Sequence, residues 1–179
     1  LSYRFTAVSD GVGGAKPLTV TVTPQGGAGT FHWYGMSNEV TAASIPSLTV
    51  GDANDSQFDG VISGPGQVVK QGSGTWTLTG ANTYSGGTVF QGGKVNVSAD
   101  SSLGGAGGPL TFNGGALGAT ASFTLDPTRR VTMESGGGTF DVATGQTLRV
   151  NQVIGGVGGL GKSGAGTLEL AATNSYGGD

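Results

Sequence analysis

Apolar residues along this chain come in pairs separated by one residue that is polar or small. Leu18/Val20, Phe31/Trp33, Leu48/Val50, Trp76/Leu78, Val95/Val97, Leu110/Phe112, Phe140/Val142 and Leu168/Leu170 follow the rule. A spacing of two puts both apolar side chains on one face of an extended strand and the residue between them on the other. Each pair predicts a strand of about three to five residues. Between the pairs run Gly, Asn, Asp, Ser and Thr, the residues of tight turns. Nowhere do apolar residues recur at i, i+3, i+4 and i+7, so no helix is expected.

The pattern repeats at long range. Residues 58–87, "FDGVISGPGQVVKQGSGTWTLTGANTYSGG", lie over residues 150–179, "VNQVIGGVGGLGKSGAGTLELAATNSYGGD", without a gap. Val61, Ile62, Gly64, Gly66, Lys70, Gly72, Gly74, Thr75, Leu78, Asn82, Tyr84 and Gly86 each match the residue 92 positions on. Upstream, "PLTV" at 17–20 lies over "PLTF" at 109–112, and the pairs Tyr3/Phe5 and Leu48/Val50 lie over Val95/Val97 and Phe140/Val142. The whole chain reads as one repeat copy, 1–92, followed by a truncated copy, 93–179.

Short strands, Gly-rich corners and a gapless long repeat predict an all-β chain, a parallel β-helix in which inward side chains stack into one narrow core. A unit of 92 divides into four coils of about 23 residues, or about eight coils and a rod about 40 Å long at the strand spacing of a sheet. The rival is a β-sandwich. Its strands would be longer, and it gives no reason for a gapless repeat.

The segment "VISGPGQVVKQGSGTWTLTGANTYSGGTVFQGGKVNV" at 61–97, followed by "DSSLG" at 100–104, resembles the passenger-associated transport repeat of bacterial autotransporters. Its specific centre is "GSGTWTLTGANTYSGGT" at 72–88, and "VIGGVGGLGKSGAGTLELAATNSYGG" at 153–178 is the same motif again. "GGGTFDVATGQTLRV" at 136–150 has the family's lead-in. The resemblance implies a right-handed β-helix in the passenger of a type V secreted protein, exported to the cell surface by a C-terminal β-barrel. Trp76 stands where the family has a small aliphatic residue, as at Leu168, and Gln71 where it has Thr or Ser, as at Ser163. The motif has no catalytic residues to carry over.

Residues 156–163, "GVGGLGKS", fit the phosphate-binding template G-x-x-x-x-G-K-[ST]. That template needs a strand before it and a helix after it, so that backbone N–H groups and the helix N-terminus surround the phosphates. The residues 92 positions earlier, 64–71, read "GPGQVVKQ": Val69 replaces the second glycine and Gln71 the hydroxyl. What both copies share is V-I-x-G-x-G-x-x-x-K-x-G-x-G-T, a signature of the repeat. No nucleotide is expected, and Lys70 and Lys162 read as surface residues beside a corner.

Composition narrows the field further. Gly 38 and Pro 6 in 179 residues suit many tight turns. Without Cys there is no disulfide framework and no thiol chemistry. Eight basic against 11 acidic residues, net −3, argue against nucleic acid as partner. No apolar run approaches the ~18 residues that span a bilayer, so the fragment itself is not expected to cross one.

His32, the only His, and Tyr34 alternate with Phe31 and Trp33 and are expected to face outward together, as a surface contact for a sugar or protein. No nucleophile accompanies His32, so no catalytic residue is assigned. "GDANDSQFDG" at 51–60 begins like a calcium loop but has Gln57 where Gly is needed and Ser63 where Glu is needed, so it reads as a corner and no metal is assigned. Arg129 and Arg130, after "LDPT", read as a solvated turn. No cofactor is called for. The sequence therefore points to a stalk or binding segment of an adhesin-like passenger, with host or surface glycans and proteins as partners and with end-to-end self-association. The alternatives are a polysaccharide-active β-helix enzyme or part of a toxin passenger. An enzyme of that class needs several Asp, Glu, Arg or Lys converging in a groove, and the charged residues here are scattered.

Overall fold

A computed structural model describes residues 46–178, together with two strands nearer the N-terminus, β1 (Tyr3–Thr6) and β2 (Thr19–Val22). The chain from residue 47 winds as a solenoid. The first coil holds β3 (Ser47–Val50), β4 (Ser56–Phe58) and β5 (Val61–Ser63). The second holds β6 (Gln67–Lys70) and β7 (Thr75–Leu78). The third holds β8 (Thr88–Phe90), β9 (Lys94–Val97) and a 3-10 turn, Asp100–Leu103. The fourth holds β10 (Leu110–Phe112), β11 (Ala116–Ala119) and β12 (Phe123–Thr124). The fifth holds β13 (Val131–Met133), β14 (Gly138–Val142) and β15 (Thr147–Val150). The sixth holds β16 (Ile154–Gly156), β17 (Leu160–Ser163) and β18 (Thr167–Leu170), and β19 (Ser175–Tyr176) opens the next.

Strands at like positions pair in parallel and make three faces. The first face is β3-β6-β8-β10-β13-β16-β19, the second β4-β7-β9-β11-β14-β17, and β12-β15-β18 lie on the third. Earlier on the third side, the segment Asn82–Tyr84 and the 3-10 turn take the place of strands. They are still tied in: Thr83 N–H donates to Ile62 O at 2.8 Å and Asn82 N–H to Ser101 O at 2.9 Å. β1 and β2 pair antiparallel with each other, and β2 pairs antiparallel with β5. Tyr3 and Phe5 thus share the alternation of Val95 and Val97 but not their parallel pairing.

The inward positions stack in register. On the first face the column Leu48, Val68, Thr88, Leu110, Val131, Ile154 runs the length of the rod, and on the second Trp76, Val95, Leu117, Phe140 fills four successive coils. Every one of these residues is buried. Phe90 and Phe112 stack with ring centroids 4.3 Å apart, and Phe140 meets Phe112 edge-on at 5.2 Å. A three-sided rod only a few side chains wide is filled by such columns, because each side chain finds the same chemistry above and below. The expected inward register holds: Trp76 and Leu78 are buried, and Leu168 and Leu170 pack against the core, partly buried on the last described coil.

The coil count differs from expectation. Among the described residues first-face strands begin 20 to 23 residues apart, so seven of them make about six turns between Ser47 and Tyr176, where coils of about 23, eight over the whole chain, were expected. The repeat of 92 is therefore not a whole number of coils. Thr77 lies on the second face; the second-face register climbs from it through Asn96, Gly118 and Asp141 to Ser163, four coils up. Glu169, 92 residues beyond Thr77, lies one face further, on β18 of the third face. The physical reason is that all three faces present the same kinds of apolar side chain inward. A repeat can close on a whole number of faces without closing on a whole number of coils.

Candidate functional site

The polar residues that the two repeat copies share act at the corners. Lys70 ends β6 in the inward column between Val50 and Phe90. Its stem is buried in the core, and its ammonium turns to the corner, donating to Gln71 O at 2.7 Å, Gly72 O at 3.3 Å and Gly92 O of the next coil at 3.4 Å. Burial lowers its pKa, opposed by the charges of Asp52 and Asp55. Lys162 stands in the equivalent place one face on, in the inward column above Phe140, and donates to Ser163 O at 2.8 Å and Gly164 O at 2.7 Å. Both lysines thus stand beside a corner as expected, but only Lys162 is exposed; Lys70 is enclosed by the coil above it. A carbonyl at a sharp corner has no ladder partner, and a flexible ammonium with three donors satisfies several at once.

The phosphate-template segment is a strand, a corner and a strand, β16 and β17, with no helix after it. Gly156 has φ +124°, and a Cβ there would stand 2.0 Å from Met133 O. The glycine is needed for close approach between coils, and the lysine of the template is already on carbonyls.

Asn82 and Asn174 do a second shared task. Asn82 Oδ1 accepts from Ile62 N–H at 2.8 Å and Asn174 Oδ1 from Ile154 N–H at 2.8 Å, each one coil back. Asn82 Nδ2 also donates to Ser102 O, one coil forward, at 2.7 Å. The side-chain amide mimics a strand where no strand runs. Tyr84 is buried, its hydroxyl 2.6 Å from Thr88 Oγ1. Burial pushes its pKa up to about 12, against the hydrogen bond with Thr88 and the nearby charge of Arg129.

Of residues 51–60, read as one corner, only 51–55 form it; Ser56–Phe58 are strand β4, with Phe58 buried in the core. Asp52 accepts from Asn54 N–H at 2.7 Å, while Asp55 accepts from Thr75 N–H at 2.6 Å and Asp59 from Thr79 Oγ1 at 2.6 Å, both one coil on. Among the described residues no three His, Cys, Asp or Glu gather as a metal would require. His32 and Tyr34 lie outside the described residues.

Arg129 corrects the reading of the two-Arg turn as solvated. Arg130 is exposed, but Arg129 is buried. Its guanidinium donates to both carboxylate oxygens of Asp100, at 2.7 and 3.0 Å, and to Gly108 O at 2.9 Å and Gly104 O at 2.8 Å. Nothing in the spacing of Asp100 and Arg129 announces this, since the residues 92 positions earlier are Val8 and Ser37. Two further pairs link coils on the outside. Lys94 reaches over Gly118 to Asp141 Oδ2 at 2.8 Å, two coils up, and Arg149 meets Glu169 Oε2 at 2.6 Å. Arg129, Lys94 and Arg149 thus each tie one coil to another.

Comparison with known proteins agrees with this arrangement. The model of the passenger-associated-transport-repeat family matches residues 68–97 and 160–179, two stretches that begin 92 residues apart. The adhesin BmaC autotransporter of Brucella suis biovar 1 (strain 1330) is 41% identical over 147 residues, 78% of this chain and 4% of that protein. The chain thus corresponds to a small part of a far longer relative. No solved structure matches the chain. The corner lysines, the coil-bridging asparagines and the stacked core are the repeat's own residues at work. This chain is a stretch of an autotransporter passenger built on passenger-associated transport repeats, exported through the outer membrane to be displayed at the cell surface or released from it.

Proposed function

We propose that the segment serves an adhesin-like passenger as a stalk that also offers its outer faces for contact. The observation that carries this is the continuous inner column, Leu48 to Ile154, with Lys70 and Asn82 bonding from their own coil to the next. Such a rod resists shortening and bending, because each coil is hydrogen-bonded to its neighbours along its length. The name of the Brucella relative, an adhesin, supports the same reading. Glycans or proteins of a host or neighbouring surface are the proposed partners, with His32 and Tyr34 as proposed contact residues. Self-association through the ends is part of the proposal, tested by light scattering over a concentration series.

The test replaces the segment within its parent passenger by an unrelated solenoid of equal length, and in a second variant deletes it. A stalk role expects adhesion to survive replacement and to fall on deletion. Adhesion lost equally in both variants, together with saturable binding of the purified segment to a glycan or matrix protein, would make contact the main role. Release of new sugar ends from a polysaccharide by the purified segment would replace both with an enzymatic one.

A further inference from the structure

We propose that the repeat is a phasing element: each 92-residue copy turns whatever follows it by one face of the rod, a third of a turn. The shared motif shows this three times over. Val61–Ser63 stand on the third side of their coil, and the aligned residues 153–155 run into β16 on the first face. β6 lies on the first face, and its counterpart β17 on the second. β7 lies on the second face, and its counterpart β18 on the third. The internal chemistry of the motif survives the turn unchanged. Lys70 and Lys162 cap their corners alike, and Asn82 and Asn174 bridge alike, each pair one face apart.

The consequence is for display. Residues at equivalent outward positions of successive copies look out from successive faces, and only the fourth copy returns to the side of the first. Exposed Val61 and Val153 already illustrate it, both outward and on different sides of the rod. A passenger of several copies has no single repeat-bearing face, so a partner recognising the repeat can reach it from any side. Gaining or losing one copy rotates the distal part of the passenger relative to its base; gaining or losing three leaves its facing unchanged. This holds whether the rod is a stalk, a contact surface or the carrier of an enzyme.

The full chain has no Cys, so paired Cys substitutions give unique spin-label sites. Thr77→Cys with Ser163→Cys joins two second-face positions four coils apart; four strand spacings put the backbone separation at about 19 Å. Thr77→Cys with Glu169→Cys joins positions 92 residues apart. Pulsed spin-label distances are expected near the short value for the first pair and clearly longer for the second. Thr75→Cys with Thr167→Cys reads the same offset without disturbing the Arg149–Glu169 pair, and should also be long. A short distance at offset 92 with a long one for Thr77/Ser163 would mean that the repeat spans whole coils, and that result or equal distances for both pairs would overturn the proposal.

Discussion

The Arg129 guanidinium grips both carboxylate oxygens of Asp100, 29 residues earlier and one coil below, at 2.7 and 3.0 Å. Its other hydrogens go to Gly104 O and Gly108 O, so one side chain orders the 3-10 turn and the glycine loop after it. This is where the third face lacks a strand, and the fork geometry of Arg supplies the bonds that a ladder would have made.

Removing that grip should be costly. Arg129→Ala leaves Asp100 without its partner and strands two carbonyls, an effect of about 3–5 kcal/mol for a broken buried pair. Arg129→Lys keeps the charge but loses the fork and should recover only part of the loss. Arg130→Ala, at an exposed neighbour, should change stability by less than about 0.5 kcal/mol. Urea unfolding followed by far-UV circular dichroism ranks the three; equal midpoints for Arg129→Ala and Arg130→Ala would show that the buried pair contributes nothing net.

Lys70 and Lys162 are matched by the repeat but not by burial. Lys70→Met should lower stability by about 1–3 kcal/mol, because its corner carbonyls lose their donor inside the rod. Lys162→Met should cost much less, since water replaces the ammonium there. Titration with ATP or GTP should give no heat with the native chain or with Lys162→Ala. Micromolar binding abolished by that variant would show that the corner opens to phosphate.

Gly156 and Gly145 both have positive φ, at +124° and +75°, but only Gly156 is pressed by a neighbour, with Met133 O 2.0 Å from where a Cβ would stand. Gly145 has nothing within 4 Å. Gly145→Ala should therefore cost only its backbone strain, about 1–2 kcal/mol. Gly156→Ala must also push two coils apart and should cost distinctly more. Thermal midpoints of the two variants decide it; a milder Gly156→Ala would mean that the coils separate easily.

Acid should loosen the second face. The hydrogen bond from Lys94 is the main cause that holds Asp141 below its ordinary pKa, with Lys162 and Ser163 adding to it against some desolvation. A depressed carboxylate contributes stability above its unfolded value of 3.8 and loses it as pH falls through the folded value. Stability should therefore fall as pH drops below about 4, less steeply in Asp141→Asn. The side chain is partly exposed, so the difference should be small and should shrink with added salt. Urea midpoints across that range, with and without salt, measure it; identical slopes for the two proteins would remove the pair from the account.

Much of the rod was legible in the chain itself. Alternation at period two, with turn residues between, is a local property, and it placed Trp76, Leu78, Val95, Phe112 and Leu168 on inner columns. The offset of 92 was legible as well, because two copies of one sequence answer to the same local rules. How many residues make a coil was not, since inward Val, Leu and Phe suit any of three faces and only closure of the rod selects 20 to 23. The buried place of Lys70 and the grip of Arg129 on Asp100 were likewise decided by the tertiary structure. Each depends on which carbonyls and carboxylates an adjacent coil brings within about 3 Å, a distance that sequence separation does not encode. A lysine at the end of a strand reads as solvated until the next coil is laid over it.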